Sequence, residues 1–124
     1  MARGTGWTGK GEATGAGREP LTPAVFHVLL ALVDGAAHGY AIMQAVETTS
    51  GMAMGPGTVY GTLSRLEQSG WVEEAAAPRG SDARRRYWRM TVPGRGALRA
   101  ESVRVAALAD LVRAKKLAPA RGSR

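Results

Sequence analysis

The spacing of apolar residues changes at Gly70, and this change limits the fold more than any other feature of the sequence. Before Gly70, three consecutive segments have helical spacing. After it, the segments WVEEAAAP and RRRYWRMTV approach the two-residue spacing of strands, and they flank a turn-like RGSDA. Residues 93–117 then return to helical spacing. The order helix, helix, helix, strand, strand, helix predicts an α+β fold that is mainly α.

The first two predicted helices have recognisable ends. In LTPAVFHVLLALVDG, Thr22 can cap the helix, Pro23 suits its first turn, and Gly35 stands where the helix should stop. Apolar residues cover most of the circumference of this helix, which predicts burial on several sides, in a core or in a subunit interface. The second helix, HGYAIMQAVETTSG, ends at Gly51.

The third helix follows a glycine-rich start, in the segment GPGTVYGTLSRLEQSGW. A dinucleotide-binding loop needs a glycine where Tyr60 stands, and a P-loop needs Gly-Lys-Ser/Thr, so neither pattern fits. Pro56 instead suits a first helical turn, and Val59, Leu63 and Leu66 predict a narrow buried stripe. The opposite side of the helix has small residues at its start and a cation one turn later. Its residues are Gly57, Gly61, Ser64, Arg65 and Gln68. Such a face suits a helix that enters the major groove of DNA, although taken alone it fits an ordinary solvated face better.

The arginine-rich hairpin, more than the basic charge of the whole chain, shifts this interpretation toward DNA. There are 17 Lys and Arg against 10 Asp and Glu, with a formal net charge of +7 and a sequence pI near 10.8, which favours an anionic partner. Arginine suits contacts with phosphates and with a narrow minor groove. Three helices followed by an arginine-rich hairpin predict a winged helix-turn-helix with a two-stranded β wing. The arginines crowd around the hairpin turn, with Asp82 as the one acid among them: Arg79, Arg84, Arg85, Arg86 and Arg89.

Other classes of function find little support. Without cysteine, disulfides, thiolate metal sites and cysteine nucleophiles are excluded. His27 and His38 lack the spacing of a metal pair, and we expect a packed core or interface residue and a helix cap, respectively. Because no nucleophile, base and orienting group can be assembled, we expect neither an enzyme nor a cofactor. No segment suits a secretory signal or a membrane span, so we expect a cytoplasmic protein without a membrane partner.

Several consecutive motifs resemble the PadR family of transcriptional regulators: LTPAVFHVLLALVDG, HGYAIM, GPGTVYGTLSRLEQSGWVEE and RRRYWRMTVPGRGAL, followed by the closing helix. The resemblance covers residues 21 to about 117 and implies a homodimeric protein that binds double-stranded DNA and mostly represses. It implies that residues 57–65 form the helix that reads DNA and that the hairpin is a wing. The implied DNA contacts are Tyr40, Gly57, Thr58, Tyr60, Gly61, Ser64, Arg65, Arg84, Arg85 and Arg86.

Alternation along the last predicted strand leaves the role of Arg86 open. If Met90 faces the core, Trp88 and Arg86 lie on the same side of the strand. Arg86 is then structural, and Arg84 and Arg85 are the better wing contacts.

The C-terminal helix, residues 93–117, supports dimerisation independently of the resemblance. At 1.5 Å per residue it would be about 37 Å long, which is more than a small domain needs for its own core. Packing only within its own chain remains the alternative. A two-fold dimer predicts a palindromic operator. The expected interface combines apolar residues of this helix with two residues of the first helix: Phe26, Leu30, Leu98, Val105, Leu108 and Val112.

The remaining expectations concern domain organisation and effectors. Residues 1–19 are predicted to form a flexible basic arm, residues 20–92 the winged helix-turn-helix, residues 93–117 the dimerisation helix, and residues 118–124 a basic tail. Some members of the resembled family bind aromatic effectors between tryptophans. Here we expect core packing of Trp71 and Trp88, so any small-molecule effector is unidentified. The alternative function is a protein-interaction or sensor module that does not read DNA.

Overall fold

The computed structural model describes residues 20–120 of the 124-residue chain. Within them, four helices and three strands follow in the order α1 (Pro23–Ala31), β1 (Ala37–His38), α2 (Gly39–Ser50), α3 (Pro56–Gln68), β2 (Val72–Ala75), β3 (Tyr87–Met90) and α4 (Val92–Ala114). The fold class, α+β and mainly helical, is confirmed. The expected arm, residues 1–19, and residues 121–124 of the expected tail lie outside the described residues.

Helix α1 begins where its sequence signals predict. Thr22 Oγ1 accepts a hydrogen bond from the Val25 amide at 3.2 Å, and Pro23 occupies the first turn. The helix ends at Ala31, earlier than the predicted stop at Gly35, which instead takes a positive φ of 141° in the turn that follows. One side of the helix fills the centre of the core, with the buried residues Val25, Val28 and Leu29.

Helices α2 and α3 also have the predicted ends. His38 caps α2, since its Nδ1 accepts a hydrogen bond from the Ala41 amide at 3.1 Å. Gly51, with a φ of 75°, ends α2 in the left-handed conformation. Helix α3 begins at Pro56, so the glycine-rich segment is a helix start. The predicted core stripe of α3 is confirmed and is wider than predicted, because Thr62 is buried beside Val59, Leu63 and Leu66.

The sheet has three strands, one more than the two-stranded wing that the sequence predicts. Strand β3 lies in the centre and pairs antiparallel with both neighbours, in the order β1-β3-β2. Trp88 of β3 therefore has Ala37 on one side and Glu74 on the other. Strand β1 is absent from the prediction because two residues cannot display a two-residue period, and alanine disfavours strands.

The start of α4 lies close to the backbone that leads into β2. Thr91 Oγ1 accepts a hydrogen bond from the Gly94 amide at 3.2 Å and donates one to the Gly70 carbonyl at 2.6 Å. A Cβ at Gly94 would overlap the Trp71 carbonyl, so glycine permits this close approach. The first half of α4 also packs against α1. Trp71 and Trp88 are both buried in the core, as predicted.

Candidate nucleic-acid interface

The outer face of α3 is exposed and has little side-chain bulk at its start. Gly57, Thr58, Ser64 and Arg65 are exposed, and Gly61 is half-buried. A Cβ added at Gly57 or Gly61 would meet no atom within 4 Å, and neither residue has a positive φ. The packing and backbone of the chain therefore do not require glycine there, although glycine inside a helix costs about 0.5–1 kcal/mol relative to alanine. The face leaves room for an external surface.

Tyr60 projects from the same helix and is held from two sides. Its ring meets Trp88 edge-on, with centroids 5.7 Å apart and planes at 60°. A Cβ at Gly39 would overlap the Tyr60 ring, which explains the glycine of the HGY motif. Tyr60 is nevertheless 45% exposed, and Tyr40, which follows Gly39, is 54% exposed. Both predicted contacts thus reach the surface near one another.

The arginines at the tip of the wing are not equivalent. Arg84 pairs with Asp82 at 3.1 Å, yet its side chain is 90% exposed. Arg85 lies 3.8 Å from Asp82 and places Nη1 3.1 Å from Nδ1 of His38. Arg84 therefore extends into solvent, whereas Arg85 is held against the start of α2.

The arginines at the base of the wing each have a partner on β2. Arg86 Nε lies 2.9 Å from Glu74 Oε2, and its Cζ lies 4.9 Å from the centroid of the Trp88 ring. Arg89 Nε lies 2.7 Å from Glu73 Oε2. Arg86 therefore shares a side with Trp88, as alternation predicts, and its contacts are structural.

The arginine cluster forms ion pairs with acids that are distant from it in the sequence. The sequence presents Asp82 as the one acid around the turn, but antiparallel pairing adds Glu73 and Glu74, which are 16 and 12 positions from their arginine partners. Four of the five arginines therefore have a carboxylate partner within the chain, but three acids leave part of the positive charge of the cluster without compensation. Within the described residues, Arg79 is the member of the cluster that makes no ion pair.

Local contacts lower the pKa values of two acids in the wing and of His38 beside it. Side-chain hydrogen bonds from their arginine partners hold the pKa values of Asp82 and Glu74 below their usual range. Burial, followed by the charge of Arg85, lowers the pKa of His38. His38 is therefore neutral at pH 7, and its Nδ1 keeps the lone pair that caps α2.

A second surface lies on the last half of α4 and is apolar. In the first half, the stripe of this helix that faces the core is buried: Gly94, Ala97, Leu98 and Glu101. At the same angular positions, the stripe continues to Val105, Leu108 and Val112, which are 37%, 51% and 39% exposed. Nothing within residues 20–120 buries this second half. Leu111, 50% exposed, extends the apolar surface, and its spacing of three residues from Leu108 is the signal that identifies it.

The predicted dimer residues divide into those that the chain itself buries and those that it leaves uncovered. Leu98 is 5% exposed and packs in the core of its own chain, so it does not belong to the uncovered stripe. Spacing alone could not show this, because the apolar pattern continues from Leu98 past Glu101 to Val105 while the helix leaves the core. Phe26 and Leu30 are half-buried at the edge of the core.

Other sites of chemistry are few in the part of the chain that the structure describes. No group of three or more His, Asp or Glu residues could hold a metal ion, and no described helix is long and apolar enough to cross a membrane. A groove of about 730 Å³ lies between α1, the end of α2 and the link to α3, with His27, Thr49 and Thr58 in its wall. His27 is half-buried there, 3.3 Å from Thr49 Oγ1. A small-molecule effector stays a prediction.

Solved structures of PadR regulators share this fold. A PadR family regulator from Eggerthella lenta is 30% identical, with a TM-score of 0.57 over 77% of this chain and 82% of that chain. A PadR family regulator from Clostridium difficile is 20% identical, with a TM-score of 0.66 over 78% of this chain and 100% of that chain. Bacillus subtilis PadR, solved in complex with operator DNA, is 19% identical, with a TM-score of 0.54 over 65% of this chain and 46% of that chain.

Sequence comparison agrees with the structural matches. An uncharacterized 37.1 kDa protein in transposon TN4556 of Streptomyces fradiae is 41% identical over 85 residues, which are 68% of this chain. The chain spans only 24% of the length of that relative. Residues 28–100, more than half of the chain, match the model of the transcriptional regulator PadR-like family. The family and the fold are those of transcriptional regulators, which are not enzymes. This chain belongs to the transcriptional regulator PadR-like family, and its fold is a winged helix-turn-helix.

Proposed function

We propose that this chain is a sequence-specific DNA-binding regulator that acts as a homodimeric repressor at a palindromic operator. Helix α3 enters the major groove, and the wing contacts flanking phosphates. Repression follows when the bound dimer blocks access of RNA polymerase to the promoter. In support, Bacillus subtilis PadR, which shares the fold, was solved in complex with operator DNA.

The glycine face of α3 is the observation that carries the proposal. Gly57 and Gly61 serve no packing purpose within the described chain, yet they stand on the exposed side of a helix that would be more stable with alanine. Close approach of a groove wall supplies a reason for both. The side chains near these two glycines can donate hydrogen bonds to bases or phosphates. They are Thr58, Ser64 and Arg65.

The proposed contacts fall into three groups. Arg65 is the candidate for a bidentate contact with guanine, since it is exposed about two and a half turns along α3. Arg84 is the candidate for a phosphate contact, because its side chain is more exposed than that of Arg85. The other proposed contacts remain Tyr40, Gly57, Thr58, Tyr60, Gly61, Ser64 and Arg85.

The uncovered stripe of α4 supports the homodimer. Val105, Leu108 and Val112 continue a core-facing stripe beyond the core of the chain, and a second copy would cover them. Together with the half-buried Phe26 and Leu30, they form the proposed interface. Reading a palindromic operator requires that a two-fold axis through this interface bring two α3 helices about one turn of DNA apart, which is about 34–36 Å.

The test begins with enrichment of binding sequences from a pool of random duplexes by the full chain. Anisotropy titrations then compare the enriched duplex with a scrambled duplex of equal length at several salt concentrations. We expect a preference of about 10³-fold or more and a two-fold symmetric sequence with half-sites about 10 base pairs apart. Equal, steeply salt-dependent binding to both duplexes would contradict specific reading. No binding at moderate salt would favour the protein-interaction module instead.

A further inference from the structure

We infer that Arg86 is a positioning residue that couples the wing to the recognition helix through Trp88 and Tyr60, and that it is not a DNA contact. The three side chains form a continuous line of contacts from the start of β3 to α3, which we name the aromatic bridge. This inference rests on the proposed DNA-reading function, because its consequence is the placement of α3 in the groove.

The first part of the aromatic bridge is the anchoring of Arg86. Its Nε and Nη2 donate to the two carboxylate oxygens of Glu74 at 2.9 and 3.3 Å, in a two-point contact that fixes the plane of the guanidinium. That plane lies against the Trp88 ring, with Cζ 4.9 Å from the centroid. Glu74 stands opposite Trp88 in the sheet register, so the anchor and the ring sit on neighbouring strands. One edge of the guanidinium therefore contacts Glu74, and one of its faces contacts Trp88.

The second part is the orientation of the Trp88 ring. Trp88 is 2% exposed, and its Nε1 has no hydrogen-bond partner among the described residues. With no hydrogen bond to orient the indole, packing contacts set its angle. Those contacts include the Arg86 guanidinium on its face and the Tyr60 ring edge-on at 5.7 Å.

The third part is Tyr60, which transmits this angle to the outer face of α3. Its ring is confined by Trp88 and by the backbone of Gly39, while 45% of the residue remains exposed. A change in the tilt of Trp88 must therefore displace Tyr60 outward, where α3 meets DNA. Because Tyr60 lies between Gly57 and Gly61, even a small displacement alters the surface that the two glycines keep flat.

The chain offers a closely matched control for this inference. The Arg89–Glu73 pair belongs to the same hairpin, with Glu73 one residue from Glu74 and Arg89 three residues from Arg86. Its side chains are 60% and 49% exposed, compared with 61% and 48% for Arg86 and Glu74. No described aromatic ring lies under the Arg89 guanidinium. Glu73→Gln and Glu74→Gln therefore remove the same charge from equally exposed pairs, but only Glu74→Gln loosens the aromatic bridge.

The DNA experiment compares these two variants on the enriched and the scrambled duplex. Loss of one acid should tighten binding of both variants to the scrambled duplex, because the repulsion of phosphates decreases. Only Glu74→Gln should lower the preference for the enriched duplex, by about 2- to 10-fold. If Arg86 instead contacted DNA, freeing it from Glu74 would strengthen binding to the enriched duplex at least as much as to the scrambled duplex. A preference that is unchanged or raised in Glu74→Gln would therefore overturn the inference.

Two further variants separate positioning from phosphate contact. Arg84→Ala should reduce the slope of log affinity against log salt by about 1, as the loss of one phosphate contact does. Arg86→Ala and Arg86→Lys should both lower sequence preference with the slope unchanged, since lysine keeps the charge but cannot make the two-point stacked contact. A salt slope reduced by Arg86→Ala as much as by Arg84→Ala would overturn the inference.

NMR of the DNA-free protein tests the aromatic bridge apart from the proposed function. In Glu74→Gln, the indole signal of Trp88 and the ring signals of Tyr60 should shift, whereas Glu73→Gln should leave both in place. Unshifted Tyr60 signals in Glu74→Gln would overturn the inference even if the wild-type chain reads DNA. Conversely, the signals could shift in Glu74→Gln while the wild-type chain shows no sequence preference. That result would support the aromatic bridge and contradict the proposed function.

Discussion

Replacement of Gly61 with alanine should make the free protein more stable. Gly61 lies inside α3 without a positive φ, and an added Cβ would meet no atom within 4 Å. Helix interiors favour alanine over glycine by about 0.8–1.0 kcal/mol. The free energy of unfolding should rise by about that amount, and the midpoint of thermal unfolding by about 3–6 °C for a chain of this size.

On DNA, the same methyl group should be unfavourable. It would stand on the exposed side of α3, where the proposed complex brings the helix against the groove wall. Overpacking of a close contact costs about 1–3 kcal/mol. This corresponds to a Kd for the enriched duplex that is about 5- to 150-fold weaker.

Circular dichroism melts and anisotropy titrations measure the two effects separately. Gly96→Ala is the matched control, because Gly96 is an exposed helical glycine of α4 whose added Cβ also meets open space. It should stabilise the chain by a similar amount and leave DNA affinity unchanged. A Gly61→Ala protein that is stabilised yet binds the enriched duplex as tightly as the wild type would refute the close-approach reasoning.

Three further predictions concern the core, pH and the dimer. Gly94→Ala should lower the free energy of unfolding by about 1–3 kcal/mol in urea titrations, because its Cβ would overlap the backbone carbonyl of Trp71; an unchanged midpoint would contradict this. Because the pKa of His38 lies below its usual 6.5, the unfolded chain binds the proton first as pH falls. Stability should be complete above about pH 6.5 and decrease below it, with a smaller decrease in His38→Asn, which keeps a neutral capping acceptor. Leu108→Glu should convert dimers to monomers in analytical ultracentrifugation, whereas Ala106→Glu, on the opposite side of α4, should not.

The starts of the helices, the end of α2 and the core face of α3 could be predicted from the sequence because they depend on neighbours within one or two turns. The ends of α1 and α4 could not, since these helices stop at Ala31 and Ala114, before the predicted Gly35 and residue 117. The Thr22 hydroxyl reaches the Val25 amide, and His38 reaches the Ala41 amide, in each case three residues along the chain. Gly51 ends its helix through its own backbone conformation. Such interactions are present in any chain with these residues at these spacings.

The candidate site could be predicted only in part. The exposed face of α3 followed from helical periodicity. The ion-pair partners of the wing arginines could not be predicted in this way, because Arg86 and Arg89 pair with acids of β2 that are 12 and 16 residues away. Gly39 is likewise required by a distant residue, because a Cβ there would overlap the ring of Tyr60, 21 positions away.

By itself, the sequence determined the order of the helices and of the two hairpin strands, the starts of the helices and the basic character of the hairpin, because these depend on local spacing and composition. The tertiary structure alone decided which acids pair with the wing arginines, where the apolar stripe of α4 leaves the core, and how Arg86 reaches Tyr60 through Trp88. Those outcomes depend on strand register and helix packing, which bring distant residues within a few ångströms of one another and which no local pattern encodes.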